Sequence, residues 1–339
     1  MISTTQRRGQ RRRTRLAVTA ALFATVAVAL TGCGLKPATA FVPAAGPGSI
    51  QEIPDAVGQP ITVIGKNYTE ALVLEKIAVL AMQAAGFDVT DLANVPGSQP
   101  VRNLMLSGEA DLSWDYTGTA WLVYMAQEES LDDPQEQWQA VYDADLANGI
   151  TWLQRAEMNN TYAIAVRSEA VPELENISTL SELANLDADD RTFCVEPEFN
   201  SRQDGLDGML SAYGVERGAA DGVADDNIGI YDTGAVYAAT DRGACNFGEV
   251  FATDGRIEAL DLTVLEDDKN YFPSYSAAVN VRTEIVEQYP EIADVFAPIT
   301  AAISDDVMRR LNGLVDVDGE QPADVAFEWM VEEGFISRP

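Results

Sequence analysis

From residue 61 onward, short apolar runs alternate with longer segments whose apolar residues recur every three or four positions. The first pattern reads as strands and the second as helices. Residues 61–64 (ITVI) predict a strand, and residues 69–85 a helix with Thr69 as its N-cap and Gly86 as its stop. A strand over 87–92, a helix over 101–107 ending at Gly108, and a strand over 110–114 follow. The Tyr-Thr-Gly-Thr stretch 116–119 then opens another helix, and residues 134–147 predict one more. Further strands are expected at 162–166, 192–196, 247–251, 262–265 and 277–281, and helices at 204–213, 233–241, 284–300, 304–312 and 322–333. Strands alternating with helices predict α/β lobes with largely parallel sheets. About 280 residues are enough for two such lobes.

The N-terminal segment departs from this pattern. Arg7, Arg8, Arg11, Arg12, Arg13 and Arg15 precede an apolar run over 16–30, and Leu30-Thr31-Gly32-Cys33 follows. Basic, apolar and cysteine parts in that order predict a signal peptide over 1–32, too short for a typical membrane span. Its end resembles a bacterial lipobox, which makes Cys33 the lipidated residue. Residues 33–60, rich in Ala, Pro and Gly without periodicity, read as a flexible tether. The expected location is extracytoplasmic, with contact to the membrane through the lipid anchor only. Cys194 and Cys245 remain, and two cysteines in an oxidising compartment predict one disulfide.

Charge and composition narrow the chemistry. The six arginines of residues 1–32 are not matched by any acid there, so the rest of the chain carries 16 basic and 54 acidic residues, a net −38. Such a surface repels nucleic acid and anionic membrane. Histidine is absent, which removes Ser-His-Asp and Cys-His catalysis and the commonest metal ligand. Asp316-Val-Asp318-Gly319-Glu320 lacks the spacing of a calcium loop, and Ser113 and Ser201 lack a base. Neither metal, cofactor nor enzymatic step is expected.

In α/β sheets, ligands bind beyond the carboxyl ends of strands. Lys66, Tyr116, Arg202 and Phe251 fall at or just after predicted strand ends, while Tyr162 and Tyr275 begin strands placed to be crossovers. The motifs GKNYTE (65–70), SWDYTGT (113–119), NNTYAIAV (159–166) and FNSRQDGL (199–206) occur in that order. FGEVFATDGRI (247–257), LEDDKNYFPSYSAAV (265–279) and LNGLVDVDG (311–319) follow. Over roughly residues 60–337 the chain resembles the glycine betaine/carnitine/choline-binding proteins of ABC importers, the ProX- and OpuAC-like group.

That resemblance implies a two-lobed type II periplasmic-binding-protein fold with two crossover segments. Lobe 1 would comprise 60–160 and 276–339, and lobe 2 161–275. It implies a quaternary-ammonium ligand, an ABC permease and its ATPase as partners, and no catalysis. A quaternary ammonium has no N–H to donate, so aromatic faces hold it by cation–π attraction. The family's cage tyrosines fall on Tyr116, Tyr162 and Tyr275, and a fourth cage position on Phe251, where relatives can carry tyrosine. Its carboxylate-binding positions fall on Lys66, Thr119 and Arg202. An acidic residue found near the ammonium in some relatives corresponds to Asn160. Gly118 is expected to let the 116–119 turn approach the ligand, with Trp114 and Trp121 as packing around the cage. Glycine betaine is the first expectation. Choline, carnitine, proline betaine or ergothioneine are alternatives, as is a ligand-sensing lipoprotein built on the same cage.

Overall fold

The computed structural model describes residues 42–131 and 133–339. The signal peptide and Cys33 lie outside the described residues. Among the described residues, ten strands form two five-stranded sheets. The first contains β1 (Pro60–Lys66), β2 (Asp88–Val95), β3 (Leu112–Tyr116), β4 (Ile150–Arg155) and β10 (Ala277–Arg282), in the order β2-β1-β3-β10-β4. The second contains β5 (Tyr162–Arg167), β6 (Phe193–Val195), β7 (Ile228–Ile230), β8 (Phe247–Phe251) and β9 (Leu262–Val264), in the order β7-β6-β8-β5-β9.

The two sheets repeat one plan. β1 pairs in parallel with β2 and β3, and β6 with β7 and β8. β10 is antiparallel to both its neighbours, and so is β5. Four strands in each sheet therefore share a direction, and the fifth is the strand by which the chain arrives from the other sheet. The chain crosses at residues 156–161 and returns at 265–276. The crossings are bonded to each other: Asn160 N–H donates to Tyr275 O at 3.2 Å, and Tyr275 N–H to Asn159 Oδ1 at 2.7 Å.

Helix α1 (Thr69–Ala84) is apolar on most of its faces and lies between the first sheet and the C-terminal helix Pro322–Glu332, with Val73, Leu74, Ile77, Leu80 and Ala81 fully buried. Its N-cap is Tyr68 rather than Thr69, whose hydroxyl donates instead to Asp316 at 2.6 Å.

Four other expectations change. The tether expected over 33–60 does not reach residue 60. Ile50, Ile53 and Ala56, three residues apart, are buried in the core, and Gly46 exchanges backbone bonds with Ser337. The helix expected over 284–300 is two, Thr283–Gln288 and Ile292–Ala302. Pro290 disfavours helical geometry at Tyr289, whose ψ of 71° ends the first. β4 was not among the predicted strands: its first four residues are all buried, so no alternation marks it. β7 was likewise missed, being three residues long at a sheet edge.

Cys194 in β6 and Cys245, just before β8, are joined as a disulfide with Cα atoms 5.7 Å apart. Adjacent parallel strands supply that separation. Among the described residues no helix is long and apolar enough to cross a membrane, and no cluster of His, Cys, Asp or Glu is arranged to hold a metal ion.

Candidate functional site

The carboxyl ends of β1, β3 and β8 meet the two crossings at a cleft of about 560 Å³ between the sheets. Lys66, Tyr116, Thr119, Tyr162, Arg202, Phe251 and Tyr275 all line it, as does Asn160. Strand ends place Lys66, Tyr116 and Phe251; the start of β5 places Tyr162; the residue two before β10 places Tyr275. Arg202 follows the short helix Pro197–Ser201, which begins at the end of β6.

The rings form one continuous group. Tyr162 lies 5.4 Å from Phe251 and 5.5 Å from Tyr275, centroid to centroid, the latter edge-on at 83°. Tyr68 bridges Phe251 (5.3 Å) and Tyr116 (6.4 Å). Tyr68 was not singled out from the sequence, although it sits inside the GKNYTE motif directly after Lys66-Asn67. Phe199 also packs on Tyr162, at 4.8 Å, from behind. Phe251 is only partly buried and lines the cleft, while its N–H donates to the Tyr237 hydroxyl at 2.9 Å. Burial raises the hydroxyl pKa of Tyr116, Tyr162 and Tyr275 well above the usual tyrosine value, so all three are neutral rings.

Gly118 makes room for a neighbouring ring. A Cβ there would stand 2.6 Å from the Tyr275 ring and 2.8 Å from Ser274 O. The glycine thereby admits Tyr275 to the cleft. Trp114 packs edge-on against Phe296 at 6.1 Å, and Trp121 donates to Glu129 O at 2.9 Å; neither lines the cleft.

The three cations on the cleft wall already have carboxylate partners. Lys66 Nζ is 2.7 Å from Asp115 Oδ1, with both side chains nearly inaccessible. Arg202 forms a two-pronged pair with Asp204, and its Nη1 reaches Thr119 Oγ1 at 3.4 Å and Glu198 Oε1 at 3.3 Å. Its guanidinium also stands 5.4 Å from the Tyr162 ring centre and 5.8 Å from that of Tyr275. Arg256 pairs with Asp254 and, at 3.3 Å, with Asp316. Burial opposes ionisation of Asp204, yet its bonds from Arg202 hold its carboxyl below the usual range. Burial likewise opposes ionisation of Glu198, and the charges of Lys66 and Arg202 prevail. The long contacts at Arg202 Nη1 and two unused Lys66 protons leave donor capacity facing the cleft.

Asn160 does not supply a charge, but it donates at 2.7 Å to Glu70, a buried carboxylate that is not among the expected site residues. A glutamate in the first turn of an apolar helix reads ordinarily as a helix-end charge. Only the packing shows it turned inward.

Two α/β lobes joined by paired crossings, with an aromatic cleft between them, define a periplasmic binding protein. The chain belongs to the family described as the substrate binding domain of ABC-type glycine betaine transport systems, which matches residues 59–332. It is similar to the glycine-betaine-binding protein of Pseudomonas aeruginosa, with 35% identity over 83% of this chain and 90% of the relative. It is also similar to the ergothioneine transport permease/binding protein EgtU of Helicobacter pylori, with 28% identity over 81% of this chain and 48% of that longer relative. Among solved structures, one titled as a glycine betaine/carnitine/choline ABC transporter aligns with a TM-score of 0.65 and 26% identity, over 81% of this chain and 99% of the other.

Proposed function

We propose that this protein captures glycine betaine or a related quaternary-ammonium solute outside the cytoplasm and delivers it to an ABC permease driven by a separate ATPase. Lipidation at Cys33 would hold it to the outer face of the cytoplasmic membrane. No catalytic step is involved: binding energy holds the lobes closed, and the permease reads the closed form. The observation that carries the reading is the convergence of Tyr68, Tyr116, Tyr162, Phe251 and Tyr275 on one cleft beside Lys66, Thr119 and Arg202. Faces of neutral rings attract a cation that cannot hydrogen-bond, at about 0.5–2 kcal/mol per good contact. The spare donors on Lys66, Thr119 and Arg202 suit a carboxylate tail, where a charge-assisted bond contributes about 1.5–3 kcal/mol.

Calorimetric titration against glycine betaine, choline, carnitine, proline betaine and ergothioneine tests this reading. Micromolar or tighter binding of at least one is expected, with glycine betaine ahead of choline. Arg202→Ala should narrow or reverse that gap, since it removes a donor to the tail and leaves the Asp204 charge free to favour a bare cation. Choline ahead of glycine betaine in the parent, or an Arg202 change that weakens both equally, would show that the tail is recognised elsewhere. No binding to any of the five would overturn the ligand class.

A further inference from the structure

Glu70, in the first turn of α1, is 3% exposed and fully enclosed by donors. Its Oε1 accepts from Tyr116 Oη and Asn160 Nδ2, each at 2.7 Å. Its Oε2 accepts from Thr253 Oγ1 at 2.5 Å and Asn312 Nδ2 at 3.1 Å. Two amide groups and two hydroxyls directed at two oxygens suit an acceptor-only carboxylate. All four partners are neutral; burial raises the Glu70 carboxyl above its usual value, and the hydrogen bonds from Thr253, Tyr116, Asn312 and Asn160 each oppose that rise by favouring the ionised form. By contrast, the buried aspartates Asp115, Asp204, Asp254 and Asp145 each face a lysine or arginine, whereas the buried glutamates Glu75 and Glu249, which also lack such a partner, accept no hydrogen bond and one respectively. Among the described residues no lysine or arginine nitrogen comes within 4.0 Å of the Glu70 oxygens. Arg256, which shares a small recess with Glu70, is held by Asp254 and Asp316.

A buried anion without a cation is costly, and natural structures pair such charges. Here two of the four donors, Tyr116 and Asn160, themselves line the cleft, so the charge stands one hydrogen bond behind the cage wall. We infer that Glu70 is the counter-charge for the ligand's ammonium, acting through the Tyr116 ring and Asn160 as a positioning and specificity-determining residue. Its bond to the Tyr116 hydroxyl pushes electron density into the ring and strengthens its attraction for a cation. Thr253 belongs to the second lobe and Asn312 to the helix Asp305–Asp316, so the same carboxylate is completed only when the lobes are together. This inference rests on the quaternary-ammonium reading above and names the anion that reading lacks.

Glycine betaine and its uncharged-head carbon isostere, 3,3-dimethylbutanoate, separate charge from shape. Both are titrated, by displacement where binding is weak, against the parent and Glu70→Gln, with folding checked by circular dichroism. Glu70→Gln should weaken glycine betaine on the order of tenfold or more while leaving the isostere unchanged or tighter. Equal weakening of both ligands would mean that Glu70 only supports the structure, and would overturn the inference, as would an unchanged ratio. Should Glu70→Gln fail to fold, Glu70→Asp and Glu70→Asn repeat the comparison one methylene back, and only the aspartate should keep the preference. A parent that binds no quaternary ammonium at all would instead overturn the functional reading from which this one starts.

Discussion

Tyr162 opens β5 and touches more of the ring group than any other cage candidate, meeting Phe199, Phe251, Phe272 and Tyr275. Tyr162→Ala should weaken quaternary-ammonium binding by about 1–2 kcal/mol, roughly 5–30-fold, while Tyr162→Phe should be milder because the face is kept. Titration of both variants checks this; tight binding by a folded alanine variant would make Tyr162 packing alone. Glu75 presents a different case at the same scale. It is 1% exposed, neither carboxylate oxygen has a hydrogen-bond partner, and it packs against Gly65. Burial pushes its carboxyl up to about 9, with Lys76 pulling the other way and Asp91 adding to the rise. A carboxyl raised on folding stabilises the fold fully below its unfolded value, near 4.5, and that contribution is lost as pH rises toward 9. Glu75→Gln should therefore flatten the stability profile between about pH 5 and 9 and unfold at higher denaturant than the parent at pH 8. Parallel urea melts across that range would show a parent-like slope if Glu75 were ionised in the folded protein.

At the scale of elements, the turn after β3 is where chain geometry and site meet. The segment Thr117–Thr119 is helical and entirely buried, and it runs directly into the wider helical turn Ala120–Tyr124. Gln137, from the helix Pro134–Asp145, bonds both Thr117 Oγ1 (3.1 Å) and Ser274 O (2.6 Å), tying the turn to the return crossing. Gly118 faces that crossing with no room for a side chain. Gly118→Ala must move either the Tyr275 ring or the 274 carbonyl, a strain of about 1–3 kcal/mol. The expected outcome is a lowered melting temperature together with ligand affinity reduced about tenfold or more, read by calorimetry. Parent-like affinity would mean that Tyr275 can shift without leaving the cage.

For the whole molecule, contacts between the lobes lie on both rims of the cleft. On one rim Glu198 Oε2 accepts from Ser98 N–H at 3.1 Å, and Gln203 Nε2 donates to Gln127 O at 2.7 Å. On the other, Arg256 meets Asp316 at 3.3 Å and Arg309 donates to Ala252 O at 3.3 Å. A closed form held by a few polar contacts and a ligand is a two-state element whose balance either can bias. Arg256→Gln removes one inter-lobe ion pair and should shift the ligand-free protein toward a more open form. A larger radius of gyration by solution scattering and several-fold weaker binding are expected, and saturating glycine betaine should restore the parent's radius. An unchanged radius and affinity would place the latch on the opposite rim.

Eight of the ten described strands and seven of the residues that line the cleft were legible in the chain itself, because strand ends in α/β sheets are where ligands meet backbone, and long motifs there carry the family. The signal for Lys66, Tyr116 and Phe251 was positional: each falls at or just after the end of a segment that predicts a strand. What the sequence could not determine was pairing at a distance. Lys66 meets Asp115 across 49 positions, Glu70 meets Asn312 across 242, and the sheet order places β10 between β3 and β4. Apolar periodicity records which face of an element is buried, so it yields elements and their directions. It holds no record of which buried charge finds which donor, because that depends on side chains brought together only by closure of the two crossings. For the same reason Glu70 reads along the chain as an ordinary first-turn acid, and only the tertiary structure turns it into a buried anion behind the cage.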